Sequence, residues 1–218
     1  MAWRSDLSGE RTETMPQRAR LLSDAHSLRL YLRDVLARQQ PPAIPASVSA
    51  SARAAAVLAP LFARDGRPYL LFTRRSADLT AHRGEISFPG GSRDVADISL
   101  EATALRETEE ELGFATSGVD ILGALPHVHA SISNFLIAPF AGWLGDELPE
   151  LRPNIAEVAE VIVAPLESLA DPSIHRTELW RRGGEEHLVH FFDFGSYCIW
   201  GATGRMLDSL LRLLPPAA

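Results

Sequence analysis

Lysine is absent. All 21 basic side chains in this chain of 218 residues are arginine, so any anion-binding site must use planar guanidinium forks rather than ammonium point charges. Cysteine occurs once, at Cys198, which excludes an internal disulfide framework and any cysteine-rich zinc module and fits a reducing compartment. Long apolar runs are missing too. The most apolar stretch, residues 54–63, contains Pro60 and is about half the roughly 20 residues a membrane-spanning helix needs. The opening twenty residues lack the apolar segment of a secretory signal, and the closing Pro-Pro-Ala-Ala matches no retention or peroxisomal address; a cytoplasmic protein is expected. Positive charge is in deficit, with 28 acidic residues and a net charge of −7. That argues against a nucleic-acid or anionic-membrane partner, because both require a basic face. What is present is ordinary for a globular domain: 46% hydrophobic and 22% charged residues.

Residues 1–20 are polar and aperiodic and read as a loose tail, leaving 21–218 as a single domain. Apolar spacing from Leu21 to Gln39 predicts a helix that Gln-Gln-Pro-Pro ends. Residues 54–62 and 67–73 read as a hairpin around Asp65-Gly66. Residues 100–112 predict a helix with Ser99 as its N-cap and Gly113 as its C-terminal stop. Beyond it, 119–125, 134–143, 158–163 and 187–200 predict strands, and 203–214 a final helix. Strands surround helices without regular alternation, so the expected fold class is α+β, a mixed α/β/α sandwich.

The most informative stretch is Arg106-Glu107-Thr108-Glu109-Glu110-Glu111-Leu112-Gly113. On a helical wheel Leu105, Thr108 and Leu112 share one face, and Glu107, Glu110 and Glu111 fall together nearly opposite. At about 5–6 Å and an effective dielectric near 20, each like pair of carboxylates costs on the order of 3 kcal/mol before screening. Most charge runs are simply solvated helix faces. Here, however, Phe88-Pro89-Gly90-Gly91 precedes the helix, and paired glycines let backbone pass close to a ligand. A hard divalent cation among the three carboxylates would offset their repulsion while leaving positions open to a phosphate.

Gly91, Asp97, Arg106-Glu107, Glu110-Glu111 and Gly113-Phe114 together resemble the Nudix box, G-x5-E-x7-R-E-U-x-E-E-x-G-U, with U aliphatic or aromatic. The sequence departs from that pattern at three points. Asp97 stands for the first glutamate, one extra residue separates it from Arg106, and Thr108 takes the aliphatic position. Upstream, Leu70-Leu71-Phe72-Thr73-Arg74-Arg75-Ser76, then Leu79, His82, Gly84 and Phe88-Pro89-Gly90-Gly91, resemble the additional motif of Nudix coenzyme A pyrophosphatases. Ile199-Trp200-Gly201-Ala202-Thr203 is similar to the same branch, so the resemblance spans about residues 25–212. It implies a mixed sheet between helices with a loop–helix–loop box, and Mg²⁺- or Mn²⁺-dependent hydrolysis of coenzyme A or its thioesters to 3′,5′-ADP and 4′-phosphopantetheine or its acyl form. The alternatives are another nucleoside diphosphate, such as ADP-ribose or a dinucleotide, and a Nudix fold kept only for binding.

The same resemblance implies residue roles. Glu107 and Glu111 are the expected principal metal ligands, with Glu110 beside them and the Gly91 carbonyl as a further donor; Arg106 would orient the glutamates. A distal acid is expected at Glu157 or Glu160, with Glu160 preferred because it enters a strand. Arg74, Arg75 and Arg83 are the expected phosphate forks, with Ser76, His82 and Gly90 lining the substrate. His127 and His129 have no further zinc-type ligand nearby and read as a strand end. Trp180 and Trp200 could stack on adenine or fill the core. Cys198, in a strand with no basic neighbour, is expected to be an inert core thiol. The partner is a small nucleoside diphosphate, and the protein a monomer or homodimer.

Overall fold

The computed structural model describes residues 15–39, 51–76, 84–182 and 184–216. His82 and Arg83 therefore lie outside the described residues. Two helices open the chain, α1 (Gln17–Ser23) and α2 (Ala25–Arg38). Asp24 separates them, its carboxylate accepting from the His26 amide at 3.2 Å to cap α2. The expected tail boundary at residue 20 thus runs through α1, which docks by Leu21 in the core and by an Arg18 hydrogen bond to the Pro215 carbonyl at 2.8 Å.

The hairpin forms as the sequence predicts. Strands β1 (Arg53–Arg64) and β2 (Arg67–Arg75) flank Asp65-Gly66, both at positive φ, as a tight turn between twisted strands requires. Short strands β3 (Ile86–Ser87) and β4 (Gly90–Ser92) lead to helix α3 (Leu100–Leu112). After it come β5 (Asp120–Ala124), β6 (Val128–Ala130), β7 (Phe135–Trp143) and β8 (Val158–Pro165). The eight strands make one mixed sheet of order β3-β2-β1-β7-β5, with β4 on β1, β6 on β7 and β8 on β2; β1 and β7 run parallel.

A one-turn helix α4 (Leu166–Leu169) precedes a second sheet of three strands, β9 (His175–Arg182), β10 (Glu185–Phe194) and β11 (Tyr197–Trp200). Residues 187–200, expected as one strand, fold into two around a turn. Helix α5 (Gly201–Leu211) closes the fold. None of the described helices is long and apolar enough to cross a membrane.

Alternation along β1 sorts the two faces of the main sheet. Val57, Ala59, Leu61 and Ala63 join the large core with α1, α2 and α5. Ala56 and Ala138 pack against Ala104 of α3, and Phe62 and Leu71 against Leu112 and Phe114. Helix α3 thus packs on the other face of the sheet, where Ala56 and Ala138 let it lie close to the strands.

Both ends of α3 obey their sequence signals. Ser99 accepts from the Ala102 amide at 3.0 Å, and Gly113 ends the helix at φ 68°. A Cβ at Gly113 would lie 2.2 Å from the Arg152 carbonyl oxygen, so the left-handed conformation and the crowding both demand glycine. Gly113→Ala is expected to lower unfolding free energy by about 1–3 kcal/mol in urea titration. Gly118→Ala, where a Cβ would meet nothing within 4 Å, should stay within about 0.5 kcal/mol of the parent.

Candidate active site

The site begins with an anchor. Arg106 lies half-buried on α3, and all three guanidinium nitrogens are used. Nε and Nη2 each donate to Asp97 at 3.0 Å, Nη1 to Glu110 at 3.0 Å, and Nη2 also to Glu107 at 2.9 Å and the Ser92 carbonyl at 3.2 Å. Asp97 is itself fixed by the Asp94 amide and the Thr103 hydroxyl, each at 2.8 Å. The Arg106 guanidinium, with help from those donors, holds the Asp97 carboxyl well below the usual carboxylate range. Asp97 therefore orients Arg106, despite its shifted spacing, and Arg106 in turn holds Glu107 and Glu110.

The expectation of a clean carboxylate face is corrected. Glu111 is only 3% exposed and sits with Thr108, Ala104 and Leu112 on the buried side of α3. Its position on the wheel falls between Ala104 and Glu107, so the side chain points under the sheet. Glu107 is half-buried and Glu110 faces solvent. Above them run the glycines of β4: a Cβ on Gly91 would lie 2.4 Å from Glu107 Oε2, and one on Gly90 would lie 2.3 Å from the Ala56 carbonyl oxygen. Only glycine lets the strand pass between β1 and the carboxylates.

Around Glu111 the compensation is thin. The Thr73 hydroxyl donates at 3.4 Å, the Arg75 guanidinium stands 4.0 Å away, and the Gly90 amide also contributes. Burial pushes the Glu111 carboxyl up to about 7, against the opposing pull of Arg75 and Gly90 and with the repulsion of Glu157 and Glu107. Glu107 is raised as well, again chiefly by burial, with Arg106 opposing. The Arg75 Nε is buried without a hydrogen-bond partner among the described residues. Two carboxylates closing on a glycine backbone, with a guanidinium only partly committed, are a hard-oxygen donor set that fits a divalent cation and a phosphate oxygen.

Strand parity divides the remaining expected residues. Thr73 and Arg75 face α3, while Arg74 points to the other side of the sheet. Arg74 is paired in register with Glu160 and bound to it at 2.9 Å, and the Tyr197 hydroxyl donates to the same carboxylate at 2.5 Å. Glu160, the preferred candidate for the distal acid, is thus held by Arg74 and Tyr197. Glu160 is engaged away from the box, whereas Glu157 raises both Glu107 and Glu111 electrostatically. Ser76 is buried beside it, its amide on the Glu157 carbonyl at 2.8 Å.

Thr73 is a contact the sequence reading missed, although its alternation with Arg75 in one strand was the available signal. Glu109, the odd member of the acidic run, accepts from the Thr116 amide and hydroxyl at 3.0 and 2.9 Å and closes the loop after α3. Cys198 lies on the exposed face and not in the core, its thiol pushed up by partial burial and by Asp193. His129 Nε2 is 3.1 Å from Asn134.

The NUDIX domain family model matches residues 52–188, and the chain belongs to the Nudix family. Nudix hydrolases use divalent metal ions and act on small nucleoside diphosphates. A protein of Photorhabdus laumondii described as the uncharacterized Nudix hydrolase NudL is 41% identical over 174 residues, covering 79% of this chain and 91% of that protein. The NudL protein of Yersinia enterocolitica is 40% identical over 175 residues, covering 80% and 87%. Among solved structures, a MutT/nudix family protein from Enterococcus faecalis is 16% identical with a TM-score of 0.46, covering 90% of this chain and 70% of that chain.

Since the folded Glu111 carboxyl titrates above its ordinary value, the folded state binds more protons than the unfolded chain between those two pH values. Metal-free stability should then fall as pH rises from about 4.5 to 7, by up to about 3 kcal/mol. Urea titrations in chelator across that window should show the slope, and Glu111→Gln should remove most of it, leaving the smaller share of Glu107. Saturating Mg²⁺ should restore stability at pH 8 to the parent protein but not to the variant.

Proposed function

We propose that this chain hydrolyses the diphosphate bond of coenzyme A or its thioesters, releasing 3′,5′-ADP and 4′-phosphopantetheine or its acyl form. The burial of Glu107 and Glu111 against Gly90-Gly91, beside the uncommitted Nε of Arg75, carries the diphosphate part of this reading. We place Mg²⁺ or Mn²⁺ on Glu107 and Glu111, with Glu110 and the Gly91 carbonyl as outer donors. A divalent ion there supplies charge neutralisation on phosphate oxygens and a more acidic bound water.

The protein's own groups do the positioning. Arg106, locked by Asp97, fixes the direction of Glu107 and Glu110. Arg75 offers its guanidinium to a phosphate oxygen without leaving Glu111. Glu157, inside the field of both box glutamates, is the acid placed to take a proton from the attacking water. Arg74 and Glu160, bound to each other and to Tyr197, brace β2 against β8 and β11 rather than touching the diphosphate. Residues 17–216 form the single catalytic domain.

The coenzyme A assignment rests on the upstream motif from Leu70 to Gly91 and on a second feature. A cleft of 310 Å³ lined by Trp180, Leu188, Trp200 and Arg205 opens beside Glu85, five residues before Gly90. Trp180 is 42% exposed, with its ring 5.8 Å from that of Trp200, so an indole face is open to a base or to a pantetheine arm.

Turnover of coenzyme A, dephospho-coenzyme A, ADP-ribose and NADH at fixed Mg²⁺, with products identified by mass, tests the assignment. Coenzyme A should exceed dephospho-coenzyme A by about tenfold or more, a difference of about 1.4 kcal/mol in transition-state binding. Equal rates on all four would favour the broader nucleoside-diphosphate reading. Glu111→Gln should lower kcat by about 10²-fold or more, and kcat in the parent should rise with pH into the neutral-to-alkaline range as the glutamates ionise. Trp180→Ala should raise KM about fivefold or more, as loss of a base stack does, with kcat nearly unchanged.

A further inference from the structure

We propose that His175, His190 and Asp208 form a second, structural site for a transition-metal ion of the zinc class, chemically distinct from the carboxylate site on α3. The ion would fasten α5 to the three-stranded sheet. The register of β9 and β10 pairs His175 with Phe192 and Thr177 with His190, so the two histidines are diagonal neighbours on one face. Helix α5 lies against that sheet. A Cβ on Gly204 would sit 2.5 Å from the His190 carbonyl oxygen, so glycine is what lets the helix come this near. Asp208 follows one turn later, on the same side of the helix.

The three side chains converge. His175 Nε2 is 3.1 Å from His190 Nδ1, His190 Nδ1 is 3.5 Å from Asp208 Oδ1, and all three atoms lie within 4.8 Å of one another. Tetrahedral zinc with bonds of about 2.0–2.2 Å sets its ligand atoms about 3.3–3.6 Å apart; the 3.5 Å separation falls in that range and the 3.1 Å one just below it. Proton counting points the same way. His190 Nδ1 faces an imidazole nitrogen on one side and an acid oxygen on the other. If it carries its proton it can serve only one of them, and if it does not, it meets the carboxylate lone pair to lone pair. A single cation accepts an electron pair from all three.

The surroundings hold the ligands in place. The second Asp208 oxygen accepts from Arg212 Nε at 2.6 Å, which turns Oδ1 toward the histidines, as outer partners do for ligating carboxylates. The His175 ring stacks on Phe192 with centroids 4.4 Å apart. His190 is buried, while His175 and Asp208 are half-buried, so an ion has a way in and a fourth position open to water. Two imidazoles and one carboxylate suit Zn²⁺, Co²⁺ or Ni²⁺, whereas Mg²⁺ prefers an all-oxygen set. Phe192 and α5 belong to the core on the face of the main sheet opposite α3, which separates the two sites.

Co²⁺ titration of the chelator-stripped full chain tests the proposal, read by the visible absorption of low-coordinate cobalt and by melting temperature. One equivalent should bind with a visible band and a raised melting temperature, and Zn²⁺ should displace it. Asp208→Asn and His175→Gln should each weaken binding by about tenfold or more. The Glu107→Gln/Glu111→Gln variant should keep the band in full, so failure here is distinguishable from failure of the proposed catalytic site. His190→Ala removes a buried ring, and the two more accessible variants give the same readout should it fail to fold. No band in a folded parent protein would overturn the proposal, as would a band that survives Asp208→Asn and His175→Gln together. Stabilisation by acid without cobalt uptake would also overturn it, identifying the cluster as a hydrogen-bonded relay.

Discussion

A carboxylate buried beside a second carboxylate, with one guanidinium at 4.0 Å and one hydroxyl at 3.4 Å, is the constraint around which this structure is arranged. Water cannot solvate Glu111, and the protein leaves its charge largely uncompensated. Such a group either keeps its proton or waits for a cation. The neighbouring features suit the second outcome, the one proposed above. Glycines in β4 bring backbone to the carboxylates, and the alanines of β1, β7 and α3 bring the helix to the sheet. The Asp97–Arg106 pair fixes Glu107 before any ion arrives. Instability concentrated at one buried acid is what a protein accepts when that acid is to bind something.

The sequence carried the frame of this site almost completely. Helix α3 has the limits that Ser99 and Gly113 announce, because capping is a local interaction decided within four residues. The hairpin at Asp65-Gly66 is local in the same way. The Arg-Glu-x-x-Glu-Glu spacing named the side chains that the fold brings together. What the wheel misjudged was depth. Glu111 lies between Ala104 and Glu107, and an apolar/acidic division assigns it to water. Tertiary packing takes it inside because the opposing surface offers Thr73, Arg75 and a glycine amide.

Strand parity explains the other discrepancies. Arg74 and Arg75 are adjacent in sequence and similar in chemistry, yet successive strand residues face opposite sides of a sheet. One meets Glu111 and the other meets Glu160. Glu160 shares Arg74's side because the two are paired in register, information present only once β8 is known to lie on β2. Strand β9 escaped the sequence reading for a different reason. Its residues His175-Arg-Thr-Glu-Leu-Trp-Arg-Arg182 alternate weakly, and Leu179 and Trp180 are exposed. A three-stranded sheet with one face open to solvent leaves little hydrophobic pattern to detect.

The missing lysines gain meaning at Arg106. Its guanidinium meets Asp97, Glu107, Glu110 and the Ser92 carbonyl at once, with separate nitrogens fixing separate directions. An ammonium could balance the same charge but has three donors on a freely rotating end and no bidentate edge for Asp97. Glu107 and Glu110 would then be neutralised without being aimed. The distinction matters for the proposed ion site, where the oxygens of Glu107 must be held in place more than their charge must be offset, and offsetting that charge too well would weaken the attraction for an ion. Arg106 satisfies both demands by committing Nε and a share of Nη2 to Asp97, so that only part of its charge reaches the two glutamates it orients.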